Sequence, residues 1–329
     1  MDRLKLLDAS LRAFDTLLPD VTPFLCLATR YRGSACRSCL DACPANALTV
    51  SPWLELDADA CTSCGACGAV CRTGALAFAA RSDAMRGAFR SAAATASARA
   101  TLVCRCADGP EAEDAMCIAP CLGGVSARDL IAASALGIEE VDLVSGDCRE
   151  CPDAAAEAVL HLAVSTAEAT LALLHRQFAV RRVQTSGHRP RASASSSAVS
   201  RRGLFAYVAR GLERAVVEGI APRDPERSIK SIHKQSAPPA AHRRLLEDLT
   251  TLRPRSGRSA ATLPASLPLA IVAVAPECDG CGLCARYCPH GALQLNGSAP
   301  SADELRCTAC GLCAEVCPLS ALLVGPVTA

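Results

Sequence analysis

Aromatic side chains make up only 3% of the 329 residues, and lysine occurs just at Lys5, Lys230 and Lys234. So few rings cannot furnish one large core. A chain long enough for two or three domains must then use small units held by something besides apolar burial. An excess of one charge is missing too: 34 Lys and Arg face 33 Asp and Glu, a formal +1. That balance excludes a uniformly basic nucleic-acid binder and an acidic solvating chain. No apolar run approaches the roughly 20 residues of a membrane span; the most apolar, Leu269 to Ala275, is far shorter. The start, MDRLKLLDASLRAF, carries charges at Asp2, Arg3, Lys5, Asp8 and Arg12 and lacks an apolar stretch of signal-peptide length. The chain is therefore read as cytoplasmic, with no direct membrane span.

Pocket motifs are absent as well. There is no GxGxxG for a flavin or nicotinamide cofactor and no GxxxxGK[ST] phosphate loop. The six histidines, His161, His175, His188, His233, His242 and His290, are scattered, and none pairs convincingly with an acid or a nucleophile in the sequence. No catalytic residue is assigned, and a substrate-transforming activity of the chain alone is not expected.

What is abundant is cysteine, 22 in all. In a reducing cytosol, clustered cysteines bind metal or do redox chemistry more often than they form structural disulfides. Fifteen fall into four repeats at the two ends, and Cys26 lies just upstream of the first. Near the C-terminus, Cys278, Cys281, Cys284 and Cys288-Pro289 are followed by Cys307, Cys310, Cys313 and Cys317-Pro318, each a CxxCxxCxxxCP run. Near the N-terminus, Cys61, Cys64, Cys67 and Cys71 keep the spacing, with Arg72 where proline would stand. A degenerate copy precedes them, Cys36, Cys39 and Cys43-Pro44, with Gly33 in the first cysteine position. The tails PANALTV, RTGALAF, PHGALQL and PLSALLV place Ala-Leu at one offset and predict a short strand after each run. The gap from Cys288 to Cys307 leaves room for a hairpin between the two C-terminal halves.

Over residues 26 to 80 and 272 to 326 this pattern resembles bacterial two-cluster 4Fe-4S ferredoxins. The resemblance implies that three cysteines of a run hold one cubane and the fourth reaches the neighbouring one. Carried over, it assigns Cys278, Cys281, Cys284 and Cys317 to one cluster, and Cys307, Cys310, Cys313 and Cys288 to the next. At the other end Cys61, Cys64, Cys67 and Cys43 make a third. The fourth has Cys36, Cys39 and Cys71 and lacks a ligand at Gly33; Cys26, seven residues upstream, is the substitute favoured over a three-iron cluster, a non-cysteine ligand or an empty site. Paired CxxC motifs also suit tetrahedral zinc. Zinc sites use two cysteine pairs, whereas a run of four closed by Cys-Pro, twice in tandem, points to iron and sulfide. Clusters would also stabilise domains of about 55 residues that bury little apolar surface.

Six further cysteines, Cys104, Cys106, Cys117, Cys121, Cys148 and Cys151, lie in the middle. Thr101 to Val103 and Glu140 to Val144 predict buried strands, Ala127 to Leu136 a helix, and Pro152 the start of a long helix to about His175. Strand, helix, strand, helix is a small α/β unit with a parallel sheet. Cys117, the helix after it and Gly146-Asp147-Cys148-x-x-Cys151 resemble the iron-sulfur delta subunit of methyl-viologen-reducing hydrogenases, which links hydrogenase to heterodisulfide reductase. That resemblance implies a 2Fe-2S centre with ligands among the six. The alternative is a Cys148/Cys151 dithiol, its thiolate favoured by a helix N-terminus.

From Arg176 to Arg258 the chain carries 18 Lys and Arg against 6 Asp and Glu, leaving 16 against 27 elsewhere. With only Phe205 and Tyr207 to stack on bases, this stretch predicts a tether or a docking surface for an acidic partner, and no nucleic-acid binding. Four oxidised all-cysteine cubanes at roughly −2 each would bring the loaded chain to about −7.

The expected fold class is α+β, with two ferredoxin-like 2x4Fe-4S modules flanking a small parallel-sheet α/β domain. The expected divisions are an N-terminal helix (1–25), a degenerate two-cluster module (26–80), a linker (81–100), a cysteine-rich redox domain (101–178), a basic connector with one or two helices, Arg201 to Gly219 being the best candidate (179–270), and a second two-cluster module (271–329). The expected function is relay of single electrons through 4Fe-4S clusters between a donor enzyme and an oxidoreductase complex, hydrogenase-like or heterodisulfide-reductase-like. The alternative is redox sensing or iron-sulfur handling through Cys148/Cys151.

Overall fold

The computed structural model describes residues 18–95, 98–113, 115–185, 187–188, 235–253, 262–297 and 299–327. The N-terminal module begins with strand β1 (Asp20–Val21), a 3-10 turn (Pro23–Leu25) and helix α1 (Leu27–Arg30), so the described part of 1–25 is strand and turn, while 1–17 lie outside the described residues. Helix α2 (Ser38–Asp41), strands β2 (Leu48–Val50) and β3 (Leu54–Leu56), helix α3 (Ala66–Val70) and strand β4 (Leu76–Ala77) complete it. β1 pairs antiparallel with β4, and β2 with β3. Each cysteine run thus makes one short helix and leaves through the strand its Ala-Leu tail predicts.

Residues 81–100, expected as a linker, instead hold most of helix α4 (Ala79–Ala93). Its Met85, Ala88, Phe89 and Ala92 recur at helical spacing and are buried. Half of that stripe is alanine, too small to mark an apolar face in the sequence.

The middle unit contains strands β5 (Arg99–Cys104), β6 (Ala107–Asp108) and β7 (Cys117–Ala119), helix α5 (Ala127–Ala135), strand β8 (Glu140–Ser145), helix α6 (Ala156–Leu173), and strands β9 (Ala179–Gln184) and β10 (Gly187–His188). A four-stranded all-parallel sheet runs in the order β7-β5-β8-β9. Leu102, Val141 and Leu143 point into the main core with Leu130, Ile131, Leu160 and Leu171 of the helices; Val103 and Val144 face the other side over Ala107. α5 starts in a capping box, with the Ser126 N–H and Oγ both donating to Asp129 Oδ2 at 2.9 and 2.6 Å.

Two expectations shift here. α6 begins at Ala156 rather than Pro152, because residues 151 to 157 first wind through i to i+3 bonds such as Ala154 N–H to Cys151 O. β9 lies beyond the expected boundary at 178: its arginines make it look like a tether, yet Arg181 bonds Asp142 and Glu140 of β8, at 2.7 and 2.5 Å, from an exposed edge. The connector also contributes helix α7 (Ala240–Leu252), whose Leu245, Leu249 and Leu252 join the main core with Leu263, Leu267 and Leu269. The helix expected at 201–219 lies outside the described residues.

By length and composition α6 could cross a membrane. It packs as a core helix instead, burying Leu160, Ala163, Ala167 and Leu171, with Thr166 Oγ1 bonded to Ser266 Oγ at 2.7 Å.

The C-terminal module has strand β11 (Ile271–Val274), helix α8 (Leu283–Tyr287), strands β12 (Leu293–Asn296) and β13 (Ala299–Ala302), helix α9 (Leu312–Glu315) and strand β14 (Leu322–Gly325). β12 and β13 form the hairpin between the halves, and β11 pairs with β14.

Candidate metal centres

The four runs share backbone devices. Asn46, Gly74, Gly291 and Ser320, at one position of each tail, all have left-handed φ between 49° and 69°. In the complete runs the residues on both sides of the second cysteine are left-handed too: Ser63 and Gly65, Gly280 and Gly282, Ala309 and Gly311. Left-handed residues on either side curl the loop tightly around the cysteine between them. The degenerate run has Ala35 and Arg37 there, and Arg37 keeps φ −128°.

A second device sits at the fourth cysteine. The tail alanine N–H donates to the sulfur four residues back: Ala47 to Cys43 at 3.3 Å, Ala292 to Cys288 at 3.2 Å and Ala321 to Cys317 at 3.3 Å. Hydrogen bonds to cluster sulfurs raise reduction potentials by favouring added negative charge. In the run that lacks proline, Cys71 Sγ lies 3.7 Å from Thr73 Oγ1.

Cys278, Cys281, Cys284 and Cys317 line one hollow, and Cys288, Cys307, Cys310 and Cys313 line another. Burial, then proximity to Cys307 and Cys288, pushes the Cys313 thiol up to about 12. Cys61, Cys64 and Cys43 surround Cys67, whose thiol is raised first by burial and then by these neighbours. Cys26, Cys36, Cys39 and Cys71 line a cavity of about 590 Å³, so the chain fold brings Cys26 to the three cysteines that lack a partner at Gly33. Burial, followed by Cys71, Cys26 and Cys36, pushes Cys39 up to about 12. Among the described residues no three Cys, His, Asp or Glu side chains converge on a single-ion site. A cubane does not ask for such convergence, since each thiolate bonds a different iron, whereas tetrahedral zinc gathers all four on one ion.

The middle cysteines divide. Cys104 ends β5 and Cys106 follows it, Cys121 follows β7, and Cys148 and Cys151 follow β8, so five gather at the carboxyl ends of adjacent parallel strands, where open α/β sheets hold ligands. Cys106 Sγ donates to Cys104 Sγ at 3.1 Å. That bond lowers the Cys104 pKa, but contact with Cys121 and burial outweigh it and push the thiol up to about 11. Cys148 is raised by burial, with Cys106 and Cys151 among its neighbours. Cys117 opens β7 at the opposite end, in the main core, raised to about 11 by burial with Arg81 and Asp129 as its charged neighbours. It stands apart from the other five.

Three buried or half-buried arginines, none singled out by its residue type, join the sets. Arg81 donates to Ser63 O at 3.0 Å and Cys64 O at 3.4 Å and lies 4.2 Å from the Phe78 ring. Arg30 donates to Phe24 O and Tyr287 O at 2.9 Å, and Arg72 to Ala265 O at 3.0 Å. The missing proline at position 72 was the one available signal.

Residues 34–75 and 277–321 each match the family model of the 4Fe-4S dicluster domain. No curated protein and no solved structure matches the chain. Both ends are thus ferredoxin-like dicluster domains; the chain carries multiple 4Fe-4S clusters and serves iron-sulfur electron transfer with redox partners.

Proposed function

We propose that this chain is a continuous electron relay, a cytoplasmic component of an oxidoreductase complex with no substrate-transforming site of its own. The observation that carries it is the order of the cysteine sets. Cys121 packs with Cys64, Ala42 and Ala156 in one apolar cluster. Cys67, Cys43, Cys39, Cys26 and Cys71 share the next. Cys36 and Cys310 share a third with Leu27 and Leu312, and Cys284, Cys288, Cys313 and Cys317 a fourth. The sets therefore line up as Cys104/Cys106/Cys121/Cys148/Cys151, then Cys43/Cys61/Cys64/Cys67, then Cys26/Cys36/Cys39/Cys71, then Cys288/Cys307/Cys310/Cys313, then Cys278/Cys281/Cys284/Cys317. Each of the last four is assigned the ligands of one cubane, and the first the ligands of a 2Fe-2S centre chosen from its five members.

When bound, each cluster holds and releases single electrons. The chain's part is to supply thiolates, set charge and N–H donors around them, and keep neighbouring cradles in contact. Cys281 is exposed at one end of the line and Cys148 is half-buried at the other, which suits docking of a donor and an acceptor. The resemblance of the middle unit to a hydrogenase delta subunit favours a hydrogenase-like or heterodisulfide-reductase-like complex at its end.

Anoxic purification with iron, sulfide and zinc analysis tests the reading. Iron and labile sulfide for at least three cubanes, with 4Fe-4S EPR signals after dithionite, are expected. Zinc as the bound metal would sink it. A Cys148/Cys151 couple that cycles without altering the cluster spectrum would instead favour redox sensing or iron-sulfur handling.

A further inference from the structure

Three runs close on Cys-Pro, and the fourth closes on Cys71-Arg72. The side chain in proline's place leaves its own module. Arg72 Nη2 donates to Ala265 O at 3.0 Å, and Nη1 to Ala309 O and Leu267 O at 3.3 and 3.4 Å. Ala309 immediately precedes Cys310, so the guanidinium grips the loop of the facing cradle. It also lines the 590 Å³ cavity that Cys26, Cys36, Cys39, Cys71 and Cys310 surround.

Arg30 crosses the same junction, donating to Tyr287 O at 2.9 Å and Cys288 O at 3.4 Å. Arg72 is partly desolvated, which opposes its charge, while Cys310 and Cys36 favour it; Arg128 is a like-charged neighbour. A guanidinium stays protonated throughout, and its planar fork holds several carbonyls at once.

We propose that Arg72 is a positioning residue of the relay: it locks the Cys310 loop onto the Cys26/Cys36/Cys39/Cys71 cradle and keeps a permanent positive charge between the two thiolate sets, raising the reduction potentials at this junction. The proposal rests on the relay reading above. An oxidised cubane with four thiolates carries about −2, and reduction adds another negative charge. A nearby cation stabilises the reduced form more than the oxidised one, and partial burial weakens the screening. Where the other runs place proline, this one places a charge that spans two modules.

The test uses the full chain, loaded without oxygen, as Arg72→Gln and Arg72→Lys. Iron and sulfide are measured first, and each cluster is then titrated by EPR-monitored potentiometry. With iron retained, Arg72→Gln is expected to shift at least one cluster to lower potential, and Arg72→Lys, which keeps the charge, to shift it less. Coincident wild-type and Gln potentials would overturn the proposal, as would equal shifts in Gln and Lys, which assign the effect to packing alone. Loss of iron from both variants would overturn it too, making Arg72 a clamp with no electrostatic part. A wild-type protein holding zinc in place of iron fails the relay reading before any variant is compared, so the two failures are distinct.

Discussion

Cys26 closes the 3-10 turn at Pro23–Leu25 and opens α1, and this local geometry buries its sulfur beside the cavity shared with Cys36, Cys39 and Cys71. As the assigned fourth ligand of that cradle it should be separable from the other sets. Cys26→Ser is expected to lower iron content by between one atom and one cluster, to bring up a three-iron EPR signal in the oxidised protein where the remaining three ligands hold, and to leave the other signals intact. Unchanged iron and spectra would remove Cys26 from the set. The twelve cysteines of the regular runs could be picked out as candidate ligands from spacing. Cys26 could be named a candidate only by counting, since a cysteine outside the repeat has no fixed offset. Arg72 left one trace, the proline missing from its run; Arg30 and Arg81 left none, because they act through backbone carbonyls that only the fold brings to them.

At the scale of elements, α4 and α7 tie the modules to the middle unit. Arg86 donates to both Asp248 carboxylate oxygens, at 2.8 and 2.6 Å, and that carboxylate is only 5% exposed. Removing the cation would leave a buried charge unpaired, so Arg86→Ala is expected to cost about 3–5 kcal/mol, read as a lower midpoint in denaturant melts of the loaded protein. A loss under about 1 kcal/mol would place the pair among ordinary surface bridges. Leu245 is 1% exposed on α7, and Leu245→Ala should cost about 2–5 kcal/mol in the same melt. Close backbone approach fixes the other contact: a Cβ on Gly124 would stand 2.7 Å from Cys64 O. Gly124→Ala is therefore expected to pry the Cys121 turn off the Cys64 loop, costing about 1–3 kcal/mol while the clusters of both end modules remain. The strands β5 and β8, helix α5 and the hairpin after Cys288 could all be read from pattern. α7 and β9 could not, because their arginines pair with acids brought near only by the fold, which gives a folded segment the composition of a tether.

Across the whole molecule, a chain built around clusters faces a problem without them: its interior is full of thiols. Burial, then nearby thiols, pushes Cys39 and Cys313 up to about 12, well above the ordinary thiol range. In the unfolded chain thiols titrate near 8.5. Above that pH the unfolded chain has shed protons that the folded apo chain still holds, so stability falls as pH rises. The contribution of these groups is fully present below about 8.5 and is lost progressively toward about 12. Loading changes the sign of the requirement, since a cluster takes thiolates and each raised thiol must give up its proton on binding. Anoxic thermal melts at several pH values from about 7 to 10 should show the apo midpoint falling on the alkaline side, with a smaller fall for the loaded protein and proton release during reconstitution in weak buffer. An apo midpoint that is flat or rises across that range would mean that the thiols are solvated or already ionised, and that the closely packed cradles do not persist once the clusters are gone.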